Sequence, residues 1–205
     1  MTIKTQWAKT LCFFVFGITL ISSCAKPTYK FQSTEGETLD FSSGTWLLLP
    51  VESNGERYLD KMDELAYEEF RKLLGDSLAN IDQARNKYLV SPPNSITPRP
   101  DYLKELSTQT EFDFVIFIRS LILADELGGL VTQDGPTRSA ITETVVEIYE
   151  LENLTRISEQ QVRSTLVDSP SLLDEGSSRL AESPESSKVN ALRKLIRRYG
   201  RKKLD

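Results

Sequence analysis

Histidine is absent from this chain, and cysteine occurs only twice, at Cys12 and Cys24. Without imidazole the usual zinc ligand and the usual neutral-pH general base are both missing, so His-dependent triads and HExxH sites are excluded. No apolar run reaches the roughly 20 residues that a spanning helix needs. Basic excess is also lacking: 25 Lys and Arg face 30 Asp and Glu, a net charge of -5. That balance argues against nucleic acid as a partner, because phosphate binding depends on clustered cations. Ser120 and Ser164 lack a G-x-S-x-G setting. Gly128-Gly129 has neither the spacing nor the following Lys-Ser/Thr of a phosphate loop. No catalytic residue, metal or cofactor is expected.

What the chain does contain is a leader. Lys4 and Lys9 precede an apolar core of roughly ten residues, Leu11 to Leu20, and small residues lead to Cys24. This is the layout of a cleavable secretory signal. The phrase Ile21-Ser22-Ser23-Cys24 resembles the bacterial lipobox, which implies cleavage before Cys24 and a diacylglyceryl thioether on its sulfur. Residues 1–23 are therefore read as a lipoprotein signal peptide. Its loss removes two lysines and no acid, which leaves about 180 residues at about -7. Cys12 leaves with the leader and the lipid consumes Cys24, so no thiol remains for a disulfide, metal or nucleophile.

Residues 24–44 are polar, with Pro27, Gly36 and Gly44 and no clear period, and read as a flexible tether. A globular α/β domain is expected over 45–167. Thr45 to Val51, closed by Pro50, fits a buried first strand. From Leu59 to Leu78 apolar residues recur at three- and four-residue steps, which predicts an amphipathic helix capped by Ser53 or Asn54. Asn80 to Tyr88 receives no element. Leu89-Val90-Ser91 reads as a short edge strand, the four prolines of 92–100 as an irregular loop, and Asp101 to Gln109 as a short helix. Glu111 to Ile118 is the strongest strand signal and belongs at the sheet centre. Asp125 to Pro136 reads as turns, and Ile141 to Leu151 with Arg156 to Val167 as an antiparallel hairpin. Residues 168–187 read as a polar linker, and 188–205 as a basic amphipathic helix packed on the domain. The fold class expected is α/β, a mixed sheet of about four to five strands packed with two or three helices.

Leu47-Leu48-Leu49-Pro50-Val51 before a long helix resembles the "V-x-V-L-P-F" opening of envelope lipoproteins related to the curli-secretion protein CsgG, the penicillin-binding-protein activator LpoB and the amino-terminal domain of TolB. Phe112-Asp113-Phe114-Val115-Ile116 resembles that group's "A-D-Y-V-I" strand, and Val146 to Asn153 partly resembles its "x-x-L-V-D-x-x-T-G" phrase, without the Thr-Gly. The likeness covers residues 45–167. It implies a non-catalytic interaction domain; no segment resembles the hairpins by which the curli channel spans its membrane.

Two sets of residues stand out as candidate sites. Cys24 is the lipidation site, and through it the lipid bilayer is the first partner. The last helix is the second: eight basic residues from Lys188 to Lys203 oppose only Asp205, about +7, against about -14 for residues 24–187. Arg193, Lys194, Arg197, Arg198, Arg201 and Lys202 are the candidate partner- or lipid-binding residues; the plainer account is that the basic face complements the acidic body. Asp113 and the pair Asp125-Glu126 are the nominees for acid–base work. The chain thus reads as a periplasmic lipoprotein of the outer membrane, since Ala25 stands where aspartate would resemble the inner-membrane retention signal. It would act as a non-catalytic interaction or assembly module with an envelope protein partner. An envelope hydrolase using carboxylate or lysine chemistry, and a secretion-accessory or structural homo-oligomer subunit, are the alternatives.

Overall fold

The computed structural model describes residues 27–35, 39–88, 98–132, 135–168 and 183–201. The described residues hold a mixed seven-stranded sheet and four α-helices, more of both than the four to five strands and two to three helices expected. The strands are β1 (Thr28–Glu35), β2 (Trp46–Leu48), β3 (Glu52–Ser53), β4 (Leu78–Asn80), β5 (Phe114–Thr132), β6 (Gly135–Glu150) and β7 (Thr155–Asp168). They lie in the order β1-β7-β6-β5-β2-β4, with β3 also pairing β5. β2 runs parallel to both β4 and β5, whereas β5, β6, β7 and β1 are antiparallel neighbours.

That division decides which faces are covered. In the parallel half, Trp46 and Leu48 of β2 and Ile116 and Ile118 of β5 enter one core, while Leu47, Leu49, Val115 and Phe117 enter a second core on the other face. Side chains alternate across a strand, so a strand buried on both faces reads as an unbroken apolar run. The first core is closed by α1 (Leu59–Leu74), through Met62, Leu65, Ala66 and Phe70, and by α4 (Pro184–Arg201), through Val189, Leu192, Leu195, Ile196 and Tyr199. The second is closed by α2 (Ile81–Tyr88) and α3 (Pro100–Gln109), which bury Ile81, Ala84, Leu103 and Leu106. In the antiparallel half that second face carries ion pairs instead: Arg163 reaches Glu143 at 2.9 Å and Arg156 reaches Glu147 at 3.0 Å.

Several local expectations are corrected. Within residues 24–44, expected as a tether, Thr28–Glu35 is an edge strand paired to β7, with Tyr29 opposite Ser164 and Phe31 opposite Val162. α1 starts after Tyr58, in the left-handed region at φ 69°, without a side-chain cap. Neither Ser53 nor Asn54 caps it; Asn54 bonds the backbone of Ile122 in both directions, at 2.8 and 2.9 Å. Gly75, at φ 62°, ends α1, so Leu78 opens β4 rather than closing the helix. Asn80 to Tyr88, left unassigned from sequence, contains α2. Asn80 Oδ1 accepts from the Gln83 N–H at 2.9 Å and Gln83 Oε1 accepts from the Asn80 N–H at 3.0 Å, a reciprocal capping box. The turns expected at Asp125 to Pro136 are instead a continuation of the β5–β6 ladder, which closes with Thr132 opposite Gly135. α4 begins at Pro184, inside the expected linker. It approaches α1 closely at Gly200, where a Cβ would meet Leu73 Cδ2 at 3.0 Å. The expected strand at Leu89-Val90-Ser91, most of the proline-rich loop, residues 169–182, Lys202 and Cys24 lie outside the described residues.

Candidate functional site

α4 is amphipathic because Val189, Leu192, Leu195, Ile196 and Tyr199 recur at three- and four-residue steps, and burying that stripe leaves Lys194 and the arginines away from the core. The structure divides the cations of the helix into three groups. Arg197 turns to α1, where its Nε and Nη2 each donate to the Glu69 carboxylate at 3.2 Å while Lys72 donates at 2.9 Å. The Glu69 side chain is 8% exposed. The Arg197 hydrogen bonds hold its carboxyl below the ordinary range against the opposing effect of burial. Arg197 is therefore committed within the fold, as the plainer account held for the whole basic face.

Lys194, Arg198 and Arg201 lie on the other flank. The Lys194 ammonium sits 3.8 Å from the centre of the Tyr29 ring and the Arg198 guanidinium 5.1 Å from the Phe31 ring, both in cation–π range. Tyr29 and Phe31 point the same way because they are two apart on β1. Arg193 and Arg198 are half-buried, whereas Lys194 and Arg201 are exposed. Among the described residues these four cations make no ion pair.

Lys188 is the third case, because it is fully buried. It stands four residues before Leu192, on the apolar stripe, and its Nζ donates to Ser53 Oγ at 2.7 Å. Burial pushes its pKa below the usual lysine value, and Glu185 opposes this. Ser53 Oγ also accepts from the Gly55 N–H at 3.2 Å. Three hydroxyl pairs line the same interface: Ser120 with Thr144 at 2.7 Å, Ser158 with Tyr199 at 3.0 Å and Ser164 with Ser187 at 2.5 Å. Ser120 and Ser164 are thus buried structural partners. The sequence carried one signal for this layer, the helical spacing of Lys188 to Leu192, Leu195 and Tyr199.

Of the acid–base nominees, Asp113 and Asp125 do not converge, and the Glu126 side chain lies outside the described residues. Asp113 is exposed and its Oδ2 accepts from the Thr45 N–H at 2.7 Å, which fixes the entry to β2. Asp125 lies twelve residues further on, along β5, roughly 40 Å away at the usual rise. A cleft of about 320 Å³ lies at the carboxyl ends of β2 and β4, lined by Pro50, Asp63, Tyr67, Asn80 and Arg85 among others. The chain leaves β2 toward α1 on one face and β4 toward α2 on the other, so the cleft is at a topological switch point. Asp63 lies there with its pKa raised by burial, and its Oδ1 accepts from the Val51 N–H at 2.6 Å.

No protein-family model matches the chain, and no curated protein matches it. The resemblance to the CsgG, LpoB and TolB group has no family match behind it. Among solved structures, the chain is similar to the PelC dodecamer from Paraburkholderia phytofirmans, at 11% identity and TM-score 0.44, over 83% of this chain and 97% of that one. It is also similar to the lipoprotein GNA1162 from Neisseria meningitidis, at 13% identity and TM-score 0.38, over 72% of this chain and 96% of that one.

Proposed function

We propose that this chain is a lipoprotein of the bacterial envelope, anchored by acylated Cys24 on the periplasmic side of the outer membrane, and that it works there as a non-catalytic interaction or assembly module. One observation carries the reading. The sheet begins at Thr28, four residues after Cys24, so the covalent chain holds the fold within roughly 14 Å of the lipid attachment point. A domain held that close presents fixed surfaces to whatever shares its membrane. The lipobox-like phrase and the resemblance to envelope lipoproteins support the same reading.

Two measurements test it. Cys24→Ser should abolish incorporation of a labelled fatty acid in cells; persistent labelling would remove the anchor. Crosslinking in living cells followed by mass spectrometry should return an envelope protein or a second copy of the chain, and recovery of the uncrosslinked chain alone would remove the interaction module. The hydrolase reading has one observation in its favour, the contact of Lys188 with Ser53. It requires Ser53 to react with a fluorophosphonate probe, which an interaction module leaves unmodified.

A further inference from the structure

We propose that the flank of α4 formed by Lys194, Arg198 and Arg201 is a docking surface for the anionic phospholipid headgroups of the leaflet that holds the Cys24 lipid. The inference rests on the lipoprotein reading and adds to it an orientation of the domain at the membrane.

The placement follows from covalent reach. Tyr29 is five residues after Cys24, which limits their separation to roughly 18 Å of extended chain. The Lys194 ammonium is 3.8 Å from the Tyr29 ring, so the first cation of the flank lies close to the lipid attachment point. Arg198 and Arg201 follow at four- and three-residue steps on the same helix face, a row of roughly 10 Å at the helical rise. The edge strand therefore ties the anchor to this flank rather than to the Glu69 side, where Arg197 is already engaged.

Charge complementarity chooses the occupant. The body before Lys188 carries about -14, so most orientations of the domain would turn acidic surface toward an anionic bilayer. The Lys194–Arg201 flank is the cationic alternative beside the anchor, and none of its three cations has a carboxylate partner among the described residues. Tyr29 and Phe31 lie under the Lys194 and Arg198 head groups and leave the charges at the surface, an arrangement suited to a headgroup layer. Attraction to anionic lipid acts over about one Debye length, roughly 10 Å. The acyl chains supply residence at the membrane, and the cations decide which side of the domain faces it.

The test uses the full mature chain carrying Cys24→Ser, so that the lipid does not dominate binding. Co-sedimentation with vesicles of phosphatidylglycerol in phosphatidylethanolamine should exceed that with phosphatidylcholine vesicles and fall with added salt. The variant Lys194→Gln/Arg198→Gln/Arg201→Gln should weaken partition on the order of 10²-fold, about fivefold for each charge. The charge-conserving Lys194→Arg/Arg198→Lys/Arg201→Lys should retain it, which separates loss of charge from damage to the fold. Equal binding to both vesicle types, or an unaffected Gln variant, would overturn the proposal and leave an acidic protein as the candidate for this face. Fatty-acid labelling of Cys24 in the wild-type chain is read separately. Labelling without vesicle discrimination removes only the docking surface, whereas vesicle discrimination without labelling removes only the anchor.

Discussion

Adjacent basic residues on α4 have different physical fates. Arg197 satisfies the buried Glu69 carboxylate, so Arg197→Ala should lower stability. The loss is moderated because the Arg197 side chain is 57% exposed and Lys72 remains on Glu69. Arg201→Ala, on the exposed flank, should change it by less than about 0.5 kcal/mol; urea unfolding of both variants measures the difference. The Glu69 pKa is lowered in the fold. Its contribution is therefore present above the unfolded value near 4.5 and is lost as pH falls through the folded value, and Arg197→Ala should flatten that acid limb.

Lys188 behaves in the opposite sense. Its folded pKa lies below the unfolded value of 10.5 because burial disfavours the charge. Between the two values the unfolded chain holds more protons, so stability rises with pH in that window and falls as pH drops through the folded value. Lys188→Met should lack this alkaline gain. The tyrosines act the other way above pH about 10, since burial pushes Tyr149 up to about 12 and Tyr102 and Tyr199 higher still. Their effect is common to both proteins, so the difference between wild type and Lys188→Met across pH isolates the lysine.

At the scale of elements, the chief correction is β1. Tyr29 and Phe31 alternate with Lys30 and Gln32, a two-residue period too short to outweigh the polar composition around it. Only the free edge of β7 makes the segment a strand, by supplying ladder partners from Thr165 to Glu159. Deleting residues 25–35 should therefore cost about 2–3 kcal/mol, the burial lost from two half-buried aromatic rings. A simple tether would leave the urea midpoint unchanged. β2, β5 and the β6–β7 hairpin were legible because burial on two faces or one leaves an unbroken or alternating apolar pattern. The end of α1 was not, because Leu78 continues its periodicity; Gly75 breaks the helix and hands Leu78 to the sheet. α2 is short, and its one clear mark is the Asn80–Gln83 spacing of a capping box.

For the whole molecule, the sequence by itself determined composition and pattern: no imidazole, only two cysteines, an acidic body with a basic end, and apolar periods that make an α/β fold. Those properties are local or summed along the chain, so no contact need be known to read them. The tertiary structure decided which cations remain available. Lys188, Lys194 and Arg197 are alike in charge and lie within ten positions of one helix. One turns into the sheet and meets Ser53, one turns to Glu69 on α1, and one lies over Tyr29 on the edge strand. Their surroundings come from segments 128 to 165 residues away in the chain, which helical spacing cannot report; only the packing of α4 between α1 and β1 brings them together.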